Sequence, residues 1–244
     1  MIATSIWAVV PVKPFAIAKR RLTPLLSPDE RAQLARLMFE DVLAVLAACT
    51  ALCGVVVITR DETAERIART SGARVLSDCG FDINSAVRAA INFLGACRSS
   101  GMIVVPSDLP LLSTSLIEEV SDHVSRPAAV ALVPATRDGG TNLLACRPVD
   151  AISPSFGPNS FQRHYAAARD AGIMPIVLAS EDAGLDIDRS EDLAAFLSRP
   201  SATRSRAFLA HLDIEARLQG HSASRPASPP FPERVIENAD ENAR

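Results

Sequence analysis

The chain has 244 residues, 48% hydrophobic and 22% charged, which is enough to build one full core with some chain left over. Its 25 Lys and Arg against 28 Asp and Glu exclude the broad basic face that nucleic-acid binding requires. The five cysteines, at 49, 53, 79, 97 and 146, show no C-x-x-C spacing and read as reduced, mostly buried thiols, which excludes a zinc site or a disulfide framework.

The apolar run at the N-terminus has no positive charge before it and no small-residue cleavage site. It reads as a first strand rather than a signal peptide, and a cytoplasmic location is expected. Residues 9–22, VVPVKPFAIAKRRL, pass from this strand into a loop carrying Lys13, Lys19, Arg20 and Arg21. In open α/β sheets ligands bind at the carboxyl ends of strands, so cations there are placed to neutralise nucleotide phosphates; a solvated basic turn is the plainer alternative. Ser27-Pro28-Asp29-Glu30 supplies an N-cap, a proline at the first helical position and a reciprocal Glu, so a helix starts there and is expected to run to about residue 52. Residues 42–58 are apolar but Ala-rich and interrupted by Thr50 and Gly54, so a helix end followed by a strand fits them better than a membrane span.

Val55-Val56-Val57-Ile58 reads as a strand buried on both faces. A helix over 62–71, a strand over 73–76 and a helix over 84–97 follow, then the strand Met102-Ile103-Val104-Val105, which ends in Pro106-Ser107-Asp108. A helix over 115–124, strands at 130–134 and 142–146, a helix over 160–171 and a strand over 174–178 complete the alternation. Repeated βαβ units with buried strands predict an α/β fold with a doubly wound, mainly parallel sheet over residues 1–198. Residues 199–244 read as a tail: an amphipathic helix over 207–218, able to pack on the domain or on a second subunit in a homodimer, then a Pro- and Ser-rich segment expected to be disordered from Gly220 on.

No G-x-G-x-x-G follows the first strand and no P-loop motif occurs, so phosphates must be held by side-chain cations and by a metal on strand-end carboxylates. Asp108, just past a buried strand, suits Mg²⁺, although Asp-Leu-Pro is equally good turn chemistry. Asp186-Ile187-Asp188 would place two carboxylates on one face of an extended segment, unless Asp188 or Ser190 merely caps the helix that follows. Gly139-Gly140-Thr141-Asn142 would let backbone approach a ligand closely beside a hydroxyl and an amide, or would simply turn a hairpin. Phe156-Gly157-Pro158-Asn159-Ser160 opens a helix whose free N–H groups and Ser160 hydroxyl suit an anion, with a plain N-cap as the alternative. His164 reads as a packed or surface helix residue rather than a general base.

Taken together, VPVKPFAIAKRRL, PSDLPLL, GGTNLL, FGPNSFQRHYAAA and LDIDRSEDL resemble, in this order and over residues 6–197, the guanylyltransferases of coenzyme F-420 biosynthesis. The resemblance implies the nucleotidyltransferase, nucleotide-diphospho-sugar transferase-like fold. It also implies a reaction joining GTP to 2-phospho-L-lactate, phosphoenolpyruvate or 3-phospho-D-glycerate with release of pyrophosphate. It makes Asp108 and a member of the Asp186/Asp188 pair the Mg²⁺ ligands. Thr141, Gly157 and Ser160, with Asn142 beside them, become phospho-acid contacts. Lys13, Lys19 and Arg20 become triphosphate contacts, with Asn84 on the nucleotide side, and Asp108, Lys13 and Lys19 become the catalytic groups. The chain lacks the glycine-rich first loop of the related molybdenum-cofactor nucleotidyltransferases. The rivals are another nucleotidyltransferase or a sugar-nucleotide glycosyltransferase, and a non-catalytic nucleotide-binding module.

Overall fold

The computed structural model describes residues 5–77 and 82–223. Successive side chains along a strand point to opposite faces, and this two-residue period divides the core in two. In β1 (Ile6–Val12), Ile6, Ala8, Val10 and Val12 enter one apolar cluster and Val9 the other. β2 (Gly54–Thr59) repeats the division, with Val55 and Val57 on the first side and Val56 and Ile58 on the second. The first cluster is closed by α1 (Pro28–Ala48), α2 (Glu62–Thr70) and α4 (Thr114–His123), and the second by α3 (Ile83–Ala96) and α5 (Ser160–Asp170). A strand covered on both faces needs no polar side, which is why these segments read as continuous apolar runs.

The remaining strands are β3 (Arg74–Ser77), β4 (Gly101–Val104), β5 (Ala129–Pro134), β6 (Thr141–Arg147) and β7 (Ile176–Val177). The seven-stranded sheet has the order β3-β2-β1-β4-β6-β5-β7, with β6 antiparallel to both its neighbours and every other pair parallel. The doubly wound, mainly parallel sheet is therefore as expected, and β5 and β6 make the hairpin that Gly139-Gly140 suggested. From β1 the chain moves outward to β2 and β3, then crosses back to β4 on the other side of β1. The carboxyl ends of β1 and β4 thus flank the switch point, where such sheets bind ligands.

Ser27 and Glu30 form the reciprocal cap at the start of α1, each side chain bonded to the other's backbone N–H. The end of this helix differs from expectation: it stops at Ala48, and Gly54 does not cap it but opens β2. A Cβ on Gly54 would lie 2.5 Å from the Trp7 ring, so the glycine is needed for packing across β1. No described helix is long and apolar enough to cross a membrane, and residues 42–58 are the end of α1 followed by β2. The thiols are not mostly buried: Cys49 and Cys146 are, but Cys53 and Cys97 are exposed, and Cys79 lies outside the described residues. No disulfide forms among the described cysteines.

A third apolar cluster joins the first loop, α1 and the C-terminal helices. Leu22, Leu26, Leu34 and Met38 pack with Leu193 and Phe196 of α6 (Ser190–Leu197) and with Leu209 and Ile214. The helix expected over 207–218 is two helices, α7 (Arg204–His211) and α8 (Ile214–Ala223), broken at Asp213, whose φ is +50°. Its apolar residues pack on this same chain. Asp41 of α1 fixes the start of α7, accepting from the Arg204 and Ser205 N–H groups and from the Ser205 hydroxyl at 2.6–3.0 Å. Residues 220–223, expected to be disordered, continue α8, and residues 224–244 lie outside the described part. Because Leu209 is fully buried between α1 and α6, Leu209→Ala is expected to lower the unfolding free energy by about 2–5 kcal/mol, as measured by denaturant titration.

Candidate active site

Beyond β1 the chain makes two short 3₁₀ turns, Phe15–Ile17 and Arg20–Leu22, with Lys19 between them in the left-handed region at φ +53°. The Phe15 N–H bonds the Asp61 carboxylate at 2.9 Å, and Leu22, Leu25 and Leu26 are buried, so both ends of the loop are fixed. Lys19 is turned inward, its side chain only 7% exposed. Its Nζ lies 2.5 Å from Asp108 Oδ2 and 3.0 Å from Asp188 Oδ1. Asp108 follows β4, and Asp188 lies on the irregular segment before α6 rather than on a strand. The two loops are tied together where the Ile187 N–H donates to the Asp108 carbonyl at 3.3 Å, with the Ile187 side chain fully buried. Arg21 donates to the other Asp188 oxygen at 3.2 Å.

Burial opposes the charge on Lys19, but the Asp108 and Asp188 carboxylates outweigh it and raise its pKa. The Asp188 carboxyl is lowered for the complementary reason: burial is outweighed by Lys19, Arg21 and Lys13. Asp186 goes the other way, pushed up to about 6 by burial and by the negative charges of Asp108 and Asp188. Among the described residues no three acidic, His or Cys side chains converge closely enough to hold a metal by themselves. Two carboxylates already bracketing one cation do fit Mg²⁺, which is commonly held by one or two carboxylates and completed by water and substrate phosphates.

Asp188 forms a wall common to two cavities. One, of about 240 Å³, is lined by Lys13, Phe15, Lys19, Ser107 and Asp108. The other, of about 200 Å³, is lined by Arg21, Arg137, Arg189, Asp138, Asp186 and Pro158. A third, of about 230 Å³, shares Pro11, Lys13 and Ile83 with the first and extends it over Ile58 and Ala86. Arg137 and Arg189 were not singled out in the sequence; Arg189 sits inside LDIDRSEDL, whereas Arg137, two residues before the paired glycines, carried no signal. Asp192 was missed as well. It pairs with Arg137 and accepts from the Asp188 and Arg189 N–H groups at 3.0 and 2.7 Å, so it, rather than Asp188 or Ser190, caps α6. Arg20 is exposed and lines none of these cavities.

The remaining expected site residues line none of these three cavities and form a hydrogen-bonded frame of their own. Ser160 Oγ accepts from the Thr141 N–H at 2.9 Å, and Thr141 Oγ1 meets His164 Nδ1 at 2.9 Å, all three residues being buried. Asn142 is buried too, its amide donating to the Ala183 carbonyl at 2.8 Å. At the start of α5 two N–H groups are taken within the chain: those of Ser160 and Phe161 bond the carbonyls of Gly157 and Gly139 at 3.0 and 3.1 Å. Asn159 adopts φ +55° and makes no side-chain cap. Phe156 occupies both ends of the Asn84 amide, through the Phe156 N–H at 2.6 Å and carbonyl at 3.1 Å. Gly157, at φ +127°, then lets the chain turn so that Pro158 reaches the cavity wall.

Residues 6–227 match the family model described as "Guanylyl transferase CofC like". The chain belongs to the CofC-like guanylyl transferases. It is 37% identical over 206 residues to the 2-phospho-L-lactate guanylyltransferase of Methanothermobacter thermautotrophicus, covering 84% of this chain and 90% of that one. It is also 37% identical, over 82% of this chain and 92% of the other, to the phosphoenolpyruvate guanylyltransferase of Roseiflexus castenholzii. The 3-phospho-D-glycerate guanylyltransferase of Phenylobacterium zucineum matches at 32% identity, over 87% and 99%. Among solved structures, a nucleotide-diphospho-sugar transferase described as putative, from Desulfovibrio desulfuricans, superposes with a TM-score of 0.75 at 18% identity, covering 89% of this chain and 98% of that one. A nucleotidyl transferase from Methanothermobacter superposes with a TM-score of 0.58 at 16% identity, over 85% and 99%. The protein is thus a nucleotidyltransferase with the fold expected from its sequence, and the family match runs past residue 198 to include α7 and α8.

In this CofC-like guanylyl transferase His164 serves the frame. The Ser155 N–H donates to its Nε2 at 2.9 Å, so in the neutral ring the proton sits on Nδ1 and is given to Thr141 Oγ1. Burial, and then the nearby Arg163 charge, push its pKa down to about 4. A histidine held neutral in the folded state costs nothing above pH 6.5, but as the pH falls toward 4 the unfolded chain takes up a proton that the folded one refuses. Stability is therefore expected to drop over that window by about 3 kcal/mol in the wild type. A His164→Asn variant should show a flatter profile when unfolding is followed between pH 7 and pH 4.5.

Proposed function

We propose that this CofC-like guanylyl transferase joins GTP to a three-carbon phospho-acid, 2-phospho-L-lactate, phosphoenolpyruvate or 3-phospho-D-glycerate, releases pyrophosphate, and serves coenzyme F-420 biosynthesis. One observation carries the reading: the Lys19 ammonium is held by Asp108 and Asp188, and Asp188 is shared by two cavities that each carry basic as well as acidic side chains. The relatives' names supply the chemistry, and the basic side chains present in both cavities support a separate place for each anion.

The triphosphate belongs with Lys13 and Lys19 at the end of β1, with the purine over Ile58 and Ala86. The phospho-acid belongs in the neighbouring cavity, where Arg21, Arg137 and Arg189 can take its carboxylate and phosphate and the Gly157–Ser160 turn closes one wall. Asp108 and Asp188 would hold Mg²⁺, whose charge would offset that of the phosphates. The nucleophile is a phosphate oxygen of the acid, already largely dianionic at neutral pH with its second pKa near 6, so no side chain has to remove a proton. His164, enclosed by Thr141 and Ser155, is consistent with that. The work left to the protein is to hold two polyanions together, which its lysines and arginines do by position and charge.

Pyrophosphate release measured with GTP and each of the three acids in turn tests the reading. Release with at least one acid is expected, and none with any of them in folded protein would overturn it. Asp108→Ala is expected to cost about 3 kcal/mol of transition-state stabilisation, a loss of about 100-fold or more in turnover, without changing the melting temperature by more than a few degrees. Arg137→Ala is expected to raise KM for the acid by the equivalent of about 1.5–3 kcal/mol while leaving KM for GTP nearly unchanged, which steady-state kinetics with each substrate varied will show.

A further inference from the structure

We propose that Lys19 and a divalent cation compete for the Asp108–Asp188 carboxylate pair, so that the nucleotide-free protein binds the cation weakly and the triphosphate opens the site by drawing the ammonium away. The inference rests on the reading above that these carboxylates hold the metal.

The Lys19 ammonium takes one oxygen of each carboxylate, at 2.5 and 3.0 Å. A divalent ion bound by those oxygens would approach them to about 2.1 Å, and a dication and an ammonium cannot share that space without strong repulsion. Lys19 has somewhere else to go. It lines the same cavity as Lys13, its backbone is anchored by the buried Leu22 and by Phe15 on Asp61, and its four-carbon stem can swing without moving the loop. Arg21 stays on the outer oxygen of Asp188, so that carboxylate is not left alone when the ammonium departs. A triphosphate in the cavity offers the ammonium new anionic partners, and its departure leaves a pair of carboxylates matched to a dication. Metal and nucleotide then favour each other reciprocally, and Lys19 acts as a positioning residue that couples them.

The test measures Mn²⁺ binding to the full-length protein without nucleotide, from the electron paramagnetic resonance signal of free Mn²⁺. Lys19→Met is expected to bind Mn²⁺ about tenfold more tightly than the wild type, within the usual range of coupling between sites. Lys13→Met removes the same charge from the same cavity but vacates no seat between the carboxylates, and is expected to shift affinity by less than about twofold. Adding Asp108→Asn to Lys19→Met should abolish the gain. Melting curves confirm folding, and Lys19→Gln replaces Lys19→Met if the latter does not fold. Equal affinity of the Lys19 variant and the wild type, with Asp108→Asn still weakening both, would overturn the competition and leave the metal assignment standing. A gain in Lys13→Met equal to that in Lys19→Met would also overturn it, as a general charge effect. If Asp108→Asn changes neither protein, the metal assignment falls and the competition with it.

Discussion

The site depends on the mutual repulsion of carboxylates held close together in a half-buried crevice, and on the Lys19 ammonium that bridges two of them. Asp108 and Asp188 both contact Lys19, and the rise in the Asp186 pKa to about 6 shows a third carboxylate within their field. In a medium less polar than water such charges interact by several kcal/mol at contact distance, so the backbone segments that carry them must be fixed firmly. The fold does this with three independent anchors: the buried leucines around the first loop, the end of β4, and the Ile187 N–H bonded to the Asp108 carbonyl.

Those anchors explain why helices far along the chain bear on the chemistry. Leu22 and Leu26, which seat the lysine loop, lie in one cluster with Leu193, Phe196, Leu209 and Ile214. The loop carrying the cations and the segment carrying Asp188 are therefore packed on the same apolar surface, and α7 and α8 complete it. Arg217 of α8 reaches back to Glu30 at the cap of α1, and its hydrogen bonds, with those from Ser27, lower the Glu30 carboxyl to about 2. The sequence from residue 199 onward is polar enough to read as a tail, yet its few large apolar groups are placed where α1 leaves an uncovered stripe.

Several residues of the glycine-rich motifs, and the histidine that follows them, are bonded to one another within the protein. Thr141, Ser160, His164 and Asn142 are buried and satisfy one another or nearby backbone, and Asn84 clamps the turn at Phe156. A buried polar group left unpaired is costly, so such a network is rigid once complete. Pro158, which lines the second cavity, directly follows the turn at Gly157 that this network adjoins. Arg137 is positioned in turn by Asp192, the carboxylate that also caps α6.

The sequence by itself determined what is local or periodic. Continuous apolar runs marked the doubly covered strands, Ser27-Pro28-Asp29-Glu30 marked the start of α1, and strand-end chemistry singled out Lys13, Lys19, Asp108 and the Asp186/Asp188 pair, because each signal is written in a few adjacent residues. What only the tertiary structure decided were the pairings across long separations. Lys19 meets Asp108 and Asp188 across 89 and 169 positions, and which of the two aspartates after Leu185 faces it depends on an irregular backbone that strand alternation does not describe. Arg137 and Asp192 acquire meaning only when β5 and α6 are brought side by side, and Leu209 only when α1 offers it a partner. A hydroxyl or amide in a glycine-rich motif can serve a ligand or the frame around it, and the choice is made by burial and by which backbone groups arrive from elsewhere to bond it, which the order of residues along the chain does not encode.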